Sequence, residues 1–143
     1  MKDKQLNRNL RLLSLQLDNW KKLHDLITYA LDKSSPIISA EQERQFMELR
    51  ANLLQETEHV LTELGLLELS GRAMNVLQRS VSLRGVRELG GEDVRRLEAE
   101  WNSVFTKCGV VQGQLKSKRK ALEEQHPVAF FFNQMLRRSA TAH

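Results

Sequence analysis

The sequence is poor in the residues that cross-link or interrupt a chain. Its 143 residues include one cysteine, Cys108, and two prolines. A single cysteine excludes an internal disulfide and suits a reducing compartment, so we expect a cytoplasmic protein. Seven glycines and two prolines leave room for long uninterrupted helices.

Long apolar runs are also missing. No stretch approaches the roughly 20 apolar residues that a membrane span needs. The basic N-terminus lacks the unbroken apolar region of a signal peptide, because Asn7, Arg8, Asn9 and Arg11 interrupt it. With 41% hydrophobic and 28% charged residues, the composition is that of a globular chain. We expect one domain over residues 1–138 and a frayed tail over 139–143.

Charge is unevenly distributed along the chain. The net charge is +4, and the sequence carries −2 over residues 1–70 and +6 over residues 71–143. A basic half can meet nucleic acid, an anionic membrane or an acidic protein. It is also what a solvated helix face rich in lysine and arginine produces. The clearest group is a basic patch of Lys116, Lys118, Arg119, Lys120, Arg137 and Arg138.

Apolar residues recur at alternating spacings of three and four, which predicts amphipathic helices. The first helix is predicted over 4–33, with the series Leu6, Leu10, Leu13, Leu17, Trp20, His24, Ile27 and Leu31. A second helix follows from about residue 40, with Phe46, Leu49, Leu53, Thr57, Val60 and Leu64. The longest series is Val94, Leu97, Trp101, Val104, Cys108, Val111, Leu115 and Leu122, interrupted only at Lys118. It predicts a helix over 92–125 of roughly 51 Å.

Breaks between these helices are marked by familiar signals. Pro36 ends the first, and Ser39 with Gln42 forms a capping box for the second. Gly65 allows two interpretations: a Schellman end of the second helix, or a continuous helix to about Val81. A polar, glycine-rich break is predicted over 82–91.

Pro127 is expected to stop the long helix and to open a short amphipathic one. On that short helix one apolar face carries Val128, Phe131, Phe132, Met135 and Leu136. This face either closes the open end of the bundle or binds a groove on a partner protein. A membrane anchor is a third, weaker interpretation.

No combination of residues predicts catalysis. Two Glu-x-x-His pairs, Glu56/His59 and Glu123/His126, match part of a di-iron bundle motif, but they lie off the inward face or at a helix end. Cys108 falls in the apolar series, so we expect an inert buried thiol. We therefore predict no cofactor, no metal site and no enzyme.

The sequence thus predicts an all-α antiparallel bundle of three or four long helices plus a short C-terminal helix. The predicted function is a non-enzymatic protein–protein interaction module, such as an adaptor, chaperone or assembly factor, that binds through apolar helical surfaces. Self-association is a parallel expectation. The alternative is a protein that binds nucleic acid or another anionic surface through its basic C-terminal half.

Overall fold

A computed structural model describes the backbone of residues 2–140 and the side chains of residues 4–124. Over that range the chain is helical and contains no strand. Its elements are five helices and one 3-10 turn: α1 (Lys2–Leu31), α2 (Ala40–Glu63), the turn Leu67–Leu69, α3 (Ser70–Arg79), α4 (Leu83–Arg87) and α5 (Gly91–Ala140).

Helix α1 follows its apolar series closely. Leu13, Trp20 and Ile27 are almost fully buried, and His24 and Leu31 are half-buried. Leu23 and Ala30 are also buried, so the apolar stripe is wider than a two-residue seam. A stripe of that width contacts two neighbours at once. Helix α1 accordingly packs on both α2 and α5.

Both ends of α2 are fixed by local hydrogen bonds. The Ser39 side chain accepts a bond from the Gln42 N–H, and the Gln42 side chain accepts one from the Ser39 N–H, which confirms the predicted capping box. At the other end Gly65 adopts φ +71°. The Leu66 N–H donates to the Leu61 carbonyl over 2.7 Å, and the Gly65 N–H donates to the Thr62 carbonyl over 3.1 Å. These are the two bonds of a Schellman motif, so the interpretation in which α2 ends at Gly65 is correct.

Two short helices connect α2 to α5. Helix α3 buries Ala73, Val76 and Leu77 and packs on α5 and α2. Helix α4 lies inside the break predicted over 82–91, so the prediction of a break was wrong for these five residues. The Ser82 hydroxyl accepts from the Gly85 N–H and caps α4, while Leu83 and Val86 are buried. Five residues are too few for a helical period to stand out in the sequence.

Helix α5 begins as predicted but does not end as predicted. Glu92 and Asp93 lie in its first turn, where the helix dipole favours carboxylates. The helix then continues through Pro127 to Ala140, so the predicted helix stop and the separate C-terminal helix were wrong. A proline removes one backbone hydrogen bond and crowds one carbonyl, at a cost of about 3 kcal/mol. That local cost disfavours a proline in a helix interior but does not forbid one.

Polar contacts tie the helices together inside the core. The Gln16 side chain, 2% exposed, donates to the Thr57 hydroxyl, which is 0% exposed. Between α1 and α5, Gln112 Nε2 donates to Ser14 Oγ over 3.0 Å, and the Trp101 indole N–H lies 3.4 Å from the Trp20 carbonyl. These contacts set the register between α1 and its neighbours α2 and α5.

Candidate functional site

A cleft of about 660 Å³ lies between the start of α1 and the second half of α5. We call it the cationic cleft. Helix α1 contributes Lys4, Arg8 and Arg11 at spacings of four and three, which place them on one helix face. Helix α5 contributes Lys116 and Arg119. The rest of the lining is Asn7, Leu10 and Ser14.

The cleft has a one-sided charge. All five cationic residues except the half-buried Arg119 are exposed, and no carboxylate is among the lining residues whose side chains are described. Arg119 Nε lies 3.8 Å from Glu123 Oε1. Among the side chains described, no carboxylate lies within ion-pair distance of the other four cations. A concave surface with several like charges concentrates ions of the opposite sign.

The structure divides the predicted basic patch. Lys116 and Arg119 line the cationic cleft, Lys118 lines a second cleft, and Lys120 is exposed one turn beyond Lys116. Arg137 and Arg138 lie outside the residues whose side chains are described, as do the predicted partner-binding residues Val128, Phe131, Phe132, Met135 and Leu136.

Sequence reasoning missed the contribution of α1. Lys4, Arg8 and Arg11 lie more than a hundred positions from Lys116, so their proximity depends on how α1 pairs with α5. One signal was present in the sequence: three cations at positions i, i+4 and i+7 mark a basic helix face. The matching face of α5 becomes visible only when the register between the two helices is known.

The second cleft lies on the other side of the α1–α5 contact and shares no residue with the first. It measures about 260 Å³, and its lining is half leucine and half polar. Leu6 is buried in it, and Leu115 and Leu122 are half-buried. Its remaining lining residues are Gln5, Asn9 and Lys118.

A group of stacked side chains lies between the last part of α1 and the first part of α5. His24 stacks on Trp101 with ring centroids 3.7 Å apart, and Trp101 stacks on Phe105 at 4.7 Å. His24 Nε2 lies 3.0 Å from Glu98 Oε2, and its Nδ1 lies 3.5 Å from the Thr28 hydroxyl. Both ring nitrogens therefore have neighbours in the protein, as expected for a histidine at the rim of a core.

Cys108 is buried at 1% exposure among α5 core residues. Burial raises the pKa of its thiol from 9.0 to about 11, because the thiolate loses its hydration. Since the thiolate is the nucleophile, this cysteine is chemically quiet at neutral pH. The sequence prediction of a packing residue is confirmed.

Only one of the two Glu-x-x-His pairs, Glu56/His59, lies within the residues whose side chains are described. His59 is exposed on α2 and lies 3.9 Å from Glu63, and the side chain of His126 is outside the described range. Within that range no three histidine, cysteine or carboxylate side chains converge. In the same part of the chain no helix combines the length and apolar character that crossing a bilayer requires.

Comparison with protein-family models, curated proteins and solved structures finds no match for this chain.

Proposed function

We propose that this chain is a non-enzymatic interaction module that docks an anionic segment of a partner protein in the cationic cleft. The observation that carries the proposal is the convergence of five cations from two helices in a cleft whose described lining includes no carboxylate. Clustering like charges costs free energy through repulsion, and bound carboxylates relieve that repulsion. We also infer an antiparallel bundle, supported by contacts that pair Ser14 with Gln112 and His24 with Glu98.

A protein partner is favoured by what surrounds the cations. None of the described residues that line the cationic cleft is aromatic, so they offer no platform on which bases would stack. The non-enzymatic part of the proposal is supported by the desolvated thiol of Cys108 and by His24, whose ring nitrogens are engaged.

Nucleic acid is the second candidate, because phosphate contact needs only clustered positive charge. Five contacted phosphates would give a slope of log affinity against log salt of about −4.5. An acidic peptide of fewer charges gives a shallower slope. The two candidates therefore differ in salt dependence as well as in ligand.

The test measures fluorescence anisotropy of the full chain with two labelled probes, an acidic peptide rich in glutamate and a duplex DNA of 20 base pairs, between 50 and 300 mM NaCl. The variant Arg8→Gln/Arg11→Gln removes two cleft charges. The control Arg95→Gln/Arg96→Gln removes the same charge from an exposed part of α5 outside the cleft.

We expect the cleft variant to bind the acidic peptide at least tenfold more weakly and the control to change affinity less than twofold. Equal losses in both variants would mean that net charge, not the cleft, determines binding, and the proposal would fail. Tighter binding of DNA with a slope near −4.5 would replace the protein partner with the nucleic-acid candidate.

A further inference from the structure

Helix α5 is longer than the helices packed against it. At 1.5 Å per residue its 50 residues span about 75 Å, and the 30 residues of α1 span about 45 Å. Ser14 pairs with Gln112, so in the antiparallel arrangement the first residues of α1 lie level with about Glu124. The last part of α5, residues 125–140, therefore extends roughly 24 Å past α1. We call residues 125–140 the arm.

No other described helix lies beside the arm. Helix α3 contacts the first half of α5, where Arg72 donates to Ser103, and α2 ends level with about Leu10 of α1. Yet the sequence gives the arm one apolar face at spacings of three and four. Since no described helix of the same chain reaches this face, its cover must come from another molecule. The residues of the face are Val128, Phe131, Phe132, Met135 and Leu136.

Opposite charges flank the two ends of this apolar face. Glu124 precedes Phe131 by seven residues, and Arg138 follows it by seven. Glu123 and Arg137 add a second charge of the same sign at each end. When two such helices pair antiparallel about a two-fold axis at Phe131, each arginine end lies level with the glutamate end of the other copy. In a parallel pair, like charges would lie side by side and repel.

We propose that this chain forms a dimer in which the arms of two copies pair antiparallel through their apolar faces. A partner with charges of one sign would complement only one end of the face, whereas a second copy complements both. Phe131 and Phe132 of the two copies would together bury on the order of 600 Å², at about 150 Å² for each ring. Val128, Met135 and Leu136 would bring the interface toward the roughly 1,200 Å² at which stable interfaces begin.

Sedimentation equilibrium of the full chain, at loading concentrations from 5 to 200 µM, tests the role of the apolar face. The variant Phe131→Ser/Phe132→Ser removes the two rings at the two-fold axis. Its control is Val110→Ser, because Val110 is an apolar residue of α5 that is 55% exposed and lies outside the arm. Circular dichroism reports whether each variant is folded.

The same measurement tests the orientation of the two arms. Glu124→Lys and Arg138→Glu each place like charges together twice in an antiparallel dimer, and the double exchange Glu124→Lys/Arg138→Glu places opposite charges together again. In a parallel dimer neither single exchange would change which signs face each other. Arg96→Glu is the control for the charge change, because Arg96 is exposed on α5 outside the arm.

We expect the wild-type chain to dimerise in this concentration range. Phe131→Ser/Phe132→Ser should weaken the dimer at least tenfold, and Val110→Ser should leave it unchanged. Each single exchange at Glu124 or Arg138 should weaken it at least threefold, while the double exchange should return to within twofold of the wild type and Arg96→Glu should have no effect.

Three results would overturn the inference. The first is a wild-type chain that stays monomeric at 200 µM. The second is a dimer that the phenylalanine variant does not weaken, because the copies would then meet elsewhere. The third is a double exchange as weak as the single ones, because the arms would then not pair antiparallel. None of these results involves the cationic cleft, whose proposed function is judged by its own peptide-binding test.

Discussion

The side chain of Arg87 closes the open end of α1. Its guanidinium donates to the carbonyls of Ala30 over 2.8 Å and Pro36 over 3.0 Å, with longer contacts of 3.3 Å to Tyr29 and 3.4 Å to Asp32. The last carbonyls of a helix have no partner within the helix. A cation at this position supplies donors and also complements the negative end of the helix dipole.

We predict that Arg87→Met lowers the free energy of unfolding by about 2–4 kcal/mol. A hydrogen bond from a charged donor contributes about 1.5–3 kcal/mol. The two shorter bonds of Arg87 carry most of the effect. Because the residue is half-buried, water replaces part of what is lost. Methionine keeps an unbranched stem, so the change isolates the guanidinium from the packing of the stem.

The assay is equilibrium urea unfolding followed by circular dichroism. The matched control is Arg96→Met, since Arg96 is exposed on α5 and makes no hydrogen bond or ion pair with any described side chain. Arg87→Lys should restore only part of the loss, because one ammonium cannot reproduce the planar fork of donors. If Arg87→Met and Arg96→Met differ by less than about 0.5 kcal/mol with unchanged denaturant slopes, the role assigned to Arg87 is wrong.

Three further predictions concern single buried or turn residues. Thr57→Val should destabilise by about 1–3 kcal/mol because it leaves the buried Gln16 amide unpaired, whereas Gln16→Met/Thr57→Val should cost less than the sum of the single changes in a double-mutant cycle. Gly65→Ala should destabilise by about 1 kcal/mol at φ +71°, and Gly71→Ala, in a helix with open space, should stabilise by about 0.5–1 kcal/mol; thermal unfolding separates the two signs. Cys108 should react slowly with a thiol reagent at pH 8 until urea is added, and stability should fall between pH 9 and 11, where the unfolded thiol loses its proton before the folded one does.

Apolar periodicity alone predicted which residues of a single helix are buried. The stripe of α1 and the seam from Leu97 to Cys108 are buried as expected, because an apolar spacing of three and four leaves few ways to hide the residues from water. The end of α2 required a choice between helix phase and the conformational preference of Gly65. The backbone preference prevailed, since a Schellman end satisfies two carbonyls that the helix leaves open.

Sequence-based predictions failed where a local preference was outweighed by the rest of the structure, or where the outcome depended on how two helices pack. Pro127 is a sound signal for a helix end, yet its cost is confined to one hydrogen bond and one crowded carbonyl, and α5 continues past it. For a related reason, the sequence predicted only the α5 residues of the cationic cleft. Lys116 and Arg119 were recognised as basic, but their partners Arg8 and Arg11 come from the other end of the chain. Which faces meet depends on helix register, and register is set by contacts such as Ser14 with Gln112.

Helix α5 changes character at about Cys108. Over residues 91–106 it carries four acids and two arginines, and Arg79 of α3 lies within 3.4 Å of Glu100 and 3.9 Å of Asp93. Over residues 107–122 it carries five cations and no acid, and the face of α1 beside it is cationic as well. In the first part Asp93 and Glu100 lie near a cation of the bundle, while the second part gathers like charges whose repulsion opposes folding. The proposed anionic partner, if it binds only the folded chain, would offset that repulsion and stabilise this end by mass action. Under that proposal, the cations of the cationic cleft are the residues that couple the stability of the bundle to partner binding.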